Sequence, residues 1–71
     1  MSDNNQQSVI ANAHAIIQRF GGIRPMSKAT GIPVTTIQGW KKRDIIPATR
    51  REEIRHYAHD NNIALDDLLD A

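Results

Sequence analysis

The feature that most constrains this chain is Gly31-Ile32-Pro33, set inside MSKATGIPVTTIQGW from Met26 to Trp40. A glycine can take the positive φ by which a chain leaves one helix and turns sharply toward the next. Pro33 blocks continuation of the first helix and suits the start of a second. Ile32, between them, is an apolar residue placed to drop into the angle of the two helices. Ile37 and Trp40 stand three positions apart and share one helical face, so Thr35, Thr36, Gln38, Gly39 and Lys41 point largely the other way. The stretch therefore predicts two short helices joined by a tight turn. The second helix has a buried apolar edge and an outer face of small or hydrogen-bonding residues, which suits the major groove of duplex DNA.

A chain of 71 residues holds one domain with a small core. With no cysteine, it has neither a disulfide framework nor a thiolate metal site. The polar start MSDNNQQS lacks the basic and apolar regions of a signal peptide, and no apolar run approaches the ~20 residues that span a bilayer. A soluble, cytoplasmic protein without a membrane partner is the expectation.

The net charge of +1 hides a strong division along the chain. Residues 1–18 carry Asp3 alone. Residues 19–55 hold all nine basic residues against Asp44, Glu52 and Glu53, a net of +6. Residues 56–71 carry Asp60, Asp66, Asp67 and Asp70, a net of −4. A basic centre between acidic ends is the footprint of a surface that contacts phosphates, though an ordinary solvated surface reads the same way on charge alone.

Taken in order, residues 1–7 read as a flexible tail and 8–71 as the domain. Ser8 is a candidate N-cap for a first helix reaching Phe20, with Val9, Ile10, Ala13, Ile16, Ile17 and Phe20 forming a helical stripe. Gly21-Gly22 stops it, and Arg19 suits the dipole of its last turn. His14 reads as a surface or boundary residue. A second helix starts near Arg24-Pro25 and ends at Thr30, with Arg24 and Lys28 outward as candidate phosphate contacts. The third spans Val34 to Lys42. Pro33 stands where a capping oxygen would sit, unless Thr35 or Thr36 supplies one. Gly39 costs that helix about 1 kcal/mol relative to alanine, which points to close approach by DNA or by another helix. Trp40 reads as a core anchor. Lys41, Lys42 and Arg43 form a basic run beyond it. Asp44-Ile45-Ile46 reads as a connector and Pro47 as the first residue of a fourth helix, which turns Ile54, Tyr57 and Ala58 inward and Arg50, Arg51 and Arg55 outward. Asn61-Asn62 ends that helix. Leu65, Leu68 and Leu69 form a last short helix that either caps the core or makes a dimer contact.

The run FGGIRPMSKATGIPVTTIQGWKKRDIIPATRREEI resembles the helix-turn-helix of small Cro and λ-repressor-like bacterial and phage regulators. It is most similar to the YdaS/Cro subgroup. The matching elements are Gly21-Gly22, Met26-Ser27, Gly31-Ile32, Ile37, Trp40, Lys41 to Arg43, and Pro47-Ala48-Thr49-Arg50, over about half of the chain. Thr30 stands where the pattern has a large aliphatic and Ser27 where it has alanine, which predicts slacker packing between the two helices. The resemblance implies an all-α, five-helix, λ-repressor-like fold that binds double-stranded DNA as a transcriptional regulator, with a homodimer reading a two-fold operator. It implies base contacts from Val34, Thr35, Thr36, Gln38 and Gly39. Gln38 can pair with adenine, the threonines with base edges or phosphates, and Val34 with a thymine methyl. No arginine lies between Val34 and Trp40 for the commonest guanine contact; Lys42 and Arg43, one turn on, are the nearest candidates, and A·T-leaning readout is the expectation. Phosphate contacts fall to Arg24, Lys28, Lys41, Lys42, Arg43 and Arg50.

Other chemistry has less support. His56 and His59 share a helix face, but two ligands beside Asp60 fall short of a metal site. No phosphate-binding glycine motif or nucleophile–base pair argues for an enzyme, a cofactor or a small-molecule substrate. The alternative is a protein-interaction module with the same fold, for instance the N-terminal domain of a longer chain.

Overall fold

A computed structural model describes residues 9–69. Their order is strand β1 (Val9–Ala11), helices α1 (Ala13–Arg19), α2 (Ile23–Thr30) and α3 (Val34–Arg43), strand β2 (Ile45–Pro47), a 3-10 turn (Ala48–Arg50), and helices α4 (Arg51–Asp60) and α5 (Asp66–Leu69). The expected flexible tail over residues 1–7 and the Ser8 cap lie outside the described residues.

The turn between α2 and α3 forms where the glycine demands it. Gly31 has φ 78° and ψ 3°, and its N–H donates to the Ser27 carbonyl at 2.8 Å. A Cβ at Gly31 would meet nothing within 4 Å, so the glycine is needed for its backbone angle rather than for space. Ser27 and Thr30, the two departures from the resembled pattern, both bond Ile32. The buried Thr30 Oγ1 accepts the Ile32 N–H at 3.1 Å and donates to the Met26 carbonyl at 2.8 Å. Ser27 Oγ donates to the Ile32 carbonyl at 2.6 Å. Both backbone groups of the buried turn residue are thus satisfied by side chains of α2, as burial requires. Hydrogen bonds hold the turn where slacker apolar packing was the expectation.

Both strands and all five helices contribute to one core, and the 3-10 turn contributes no buried residue. Ile16 and Ile17 of α1, Met26 of α2, Ile37 and Trp40 of α3, and Ile54 and Ala58 of α4 are buried together with Ile32, Leu65 and Leu69. Leu65, which precedes α5 rather than belonging to the last helix as expected, and Leu69 within it cap the core, while Leu68 is half-buried.

The all-α expectation requires correction, because the chain also contains a two-stranded sheet. β1 and β2 are antiparallel, with Ile10 opposite Ile46, Val9 opposite Pro47 and Ala11 opposite Ile45. Ile10 and Ile46 face the core while Val9 lies outward. The first helix consequently starts at Ala13, not at Val9 as expected. Asn12 sits in the left-handed region (φ 64°), which breaks the helical run. Val9 and Ile10 satisfied the helical stripe only by coincidence of spacing. Both are β-branched, and their partner strand is distant in sequence, invisible to any local period. Asp44-Ile45-Ile46 is likewise no mere connector, since Ile45 and Ile46 belong to β2. Pro47 is the last residue of β2, in an extended conformation (φ −58°, ψ 136°) that suits proline at a strand end. Winding begins one residue later, as a 3-10 turn that leads into α4.

Candidate nucleic-acid interface

On α3 the buried pair Ile37 and Trp40 defines an inner edge, and at 100° per residue the opposite edge runs through Thr35, Gln38 and Lys42, all exposed. Val34, Thr36 and Gly39 are half-buried at its flanks, and Lys41 and Arg43 are exposed. The start of the helix has no side-chain cap: the N–H groups of Thr36 and Ile37 both reach the Pro33 carbonyl, at 3.0 and 3.2 Å. Neither Thr35 nor Thr36 supplies the capping oxygen. Gly39 has no close neighbour from another element. A Cβ there would meet only Arg43 Nη1, at 3.7 Å, so packing between helices does not explain this glycine.

Two long-range hydrogen bonds hold the far end of α3. His14 Nε2, from the first turn of α1, donates to the Lys41 carbonyl at 2.6 Å. Asp44, which ends α3 with φ 59°, accepts the backbone N–H of His14 through Oδ1 at 3.0 Å. Each helix thereby caps the other: a carboxylate meets the N-terminus of α1 and an imidazole N–H the C-terminus of α3, both favourable to the helix dipoles. Nothing local in the sequence signals this clamp, because its partners come from opposite ends of the three-helix segment.

The cations divide sharply. Among the described residues, ion pairs engage Arg19 with Asp67, Arg50 with Glu53, and Arg55 with Glu52 and Asp66. Arg24, Lys28, Lys41, Lys42 and Arg43 have none among those residues, and the segment from Ile23 to Arg43 contains no aspartate or glutamate. Lys42 shares the face of Thr35 and Gln38. Arg50 is placed differently: its guanidinium lies 5.7 Å from the centre of the Trp40 ring and 3.0 Å from Glu53, so it braces the edge of α3 rather than extending from the exposed face. Arg51, expected only to face outward, has no ion pair among the described residues and its Nε is buried without an acceptor. Its neighbour's identical side chain hid that difference at the level of sequence.

Away from α3, Arg19 forms a two-pronged contact with Asp67, at 3.1 and 3.2 Å, and also donates to the Ala64 carbonyl at 2.6 Å. These hydrogen bonds, followed by the attraction of opposite charge, hold the Asp67 carboxyl below its ordinary value and raise Arg19. The contact ties α1 to α5. His56 faces Asp60 at 3.4 Å, and among the described residues no group of three or more His, Cys, Asp or Glu can hold a metal. Beside them, between α4 and α5, an open groove of about 370 Å³ is lined by Glu52, Arg55, His59, Ile63 and Asp66, whose arginine pairs with its own carboxylates. Among the described residues, no helix is long and apolar enough to cross a membrane. Comparison with protein-family models, with curated proteins and with solved structures finds no match for this chain.

Proposed function

We propose that α2 and α3 form a helix-turn-helix of the λ-repressor-like kind, that α3 enters the major groove of duplex DNA, and that the protein regulates transcription. One observation carries this reading: the exposed edge of α3 combines hydrogen-bonding side chains with a cation, in a segment whose cations lack carboxylate partners among the described residues. Exposed cations without carboxylate partners favour a polyanion, because nothing nearby competes for them. Val34, Thr35, Thr36, Gln38 and Gly39 meet base edges, with Gln38 suited to adenine N6 and N7. Arg24 and Lys28 on α2, with Lys41 and Lys42 on α3, take phosphates on either side. A second copy related by a two-fold axis would read the other half of a palindromic operator.

The test is binding to random-sequence duplex DNA across a range of salt concentrations. Affinity should fall linearly on a log–log plot, and Lys42→Ala should reduce the slope by about 0.9. Arg50→Ala should leave the slope close to that of the parent while lowering thermal stability, because its charge is held by Glu53 and Trp40. Absence of binding at low salt would refute the proposal and leave protein interaction as the role of this face.

A further inference from the structure

We propose that Arg43, reaching back over Gly39, reads a guanine, an inference that rests on the DNA-binding reading above. Side chains on a helix lean toward its N-terminus, so a residue covers the turn before its own Cα. Arg43 does this over Gly39. Its Nη1 lies 3.7 Å from the position a Cβ of Gly39 would occupy, and no side chain of another element approaches that position within 4 Å among the described residues. The guanidinium therefore rests one turn back along α3, above the bare backbone that follows Thr35 and Thr36. No ion pair engages it among the described residues, so its donor fork is not committed to a carboxylate. A planar guanidinium fork can make two parallel hydrogen bonds, and guanine O6 and N7 offer two acceptors at the matching spacing in the major groove. A methyl at position 39 would make only ordinary contact with the guanidinium, whereas a branched side chain as large as leucine would occupy the space beneath it. The lack of arginine between Val34 and Trp40 consequently does not exclude guanine from the site, because Arg43 supplies the fork from the following turn. Gln38, adjacent to Gly39 on the same edge, contributes the adenine contact beside it.

Selection from a randomised duplex library, followed by sequencing, tests this with the whole chain. Wild-type protein should enrich a motif in which a guanine stands beside the adenine that depends on Gln38. Arg43→Ala should erase that guanine preference, a loss of about tenfold in discrimination or more, and leave the other positions of the motif intact. Arg43→Gln should change the guanine to adenine, because a carboxamide matches adenine N6 and N7. Gly39→Leu, which retains Arg43 but occupies the space beneath it, should weaken the same position alone. Circular dichroism establishes that each variant remains folded. A motif unchanged by Arg43→Ala, with affinity lowered equally for all sequences, would make Arg43 a phosphate contact and overturn the inference while the DNA reading stands. Failure of the wild-type protein to bind DNA at all would overturn both.

Discussion

Replacing Thr30 by valine removes one hydroxyl and changes almost nothing in shape. The energetics have two opposed parts. The added methyl at a buried position gains at most about 1 kcal/mol of transfer free energy. Against it, the Ile32 N–H loses its acceptor at 3.1 Å in a residue that is 2% exposed, and an orphaned buried donor costs about 1–3 kcal/mol. The bond from Thr30 Oγ1 to the Met26 carbonyl is lost as well. Net destabilisation should be about 1–2 kcal/mol, which in a domain of this length lowers Tm by about 5–15 °C. Thermal and urea denaturation, monitored by circular dichroism, measure it. Ser27→Ala provides a second arm, since its hydroxyl bonds the carbonyl of the same residue. The two hydroxyls restrain one residue from both sides, so the double variant should lose less than the sum of the singles by at least ~0.5 kcal/mol. A Tm for Thr30→Val equal to or above that of the parent would refute the argument, because it would show that the turn is held by apolar packing, as the aliphatic residue of the resembled pattern implies.

Gly39→Ala should raise stability by about 0.5–1 kcal/mol, since the new methyl meets only ordinary contact with Arg43, while DNA affinity falls if bound DNA approaches the backbone there. A loss of stability would mean that the fold itself requires the glycine. Asp44→Ala should cost about 1–3 kcal/mol in denaturation, through the lost cap of α1 and an alanine forced to φ 59°, and Asp44→Asn should restore most of it. Equal stability of the two variants would sink the clamp between α1 and α3. The Asp67 carboxyl is held below its ordinary 3.8, so it stabilises the fold above that pH and the contribution disappears as pH falls through its folded value. Acid denaturation at low salt should therefore be shallower in Asp67→Asn below about pH 4; identical profiles would show that solvent screens the Arg19 pair to nothing.

The sequence by itself determined the parts of this fold that are local. Gly31 and Pro33 specify a turn through backbone angles that belong to those residues alone, and the i, i+3 spacing of Ile37 and Trp40 orients α3 whatever it packs against. Thr35 and Gln38 were legible as outward for the same reason, whereas Thr36 and Gly39, read as outward with them, are half-buried, and Lys42 joins the edge only in the structure. The helical ends at Thr30 and Asp60 followed from the turn chemistry of Gly31 and Asn61-Asn62. Other features depended on partners far away in the chain, and local pattern is blind to those. Val9 and Ile10 fit a helical stripe, and only pairing with Ile45 to Pro47 makes them a strand. His14 was an unremarkable surface residue until the packing of α1 against α3 brought it to the Lys41 carbonyl and Asp44. Arg50 and Arg51 are the same residue in the same basic run. Tertiary structure alone decides that one lies over Trp40 beside Glu53 while the other has no ion pair among the described residues. A local preference is written in one or two neighbouring residues, whereas a contact between distant elements exists only once the core has closed around both.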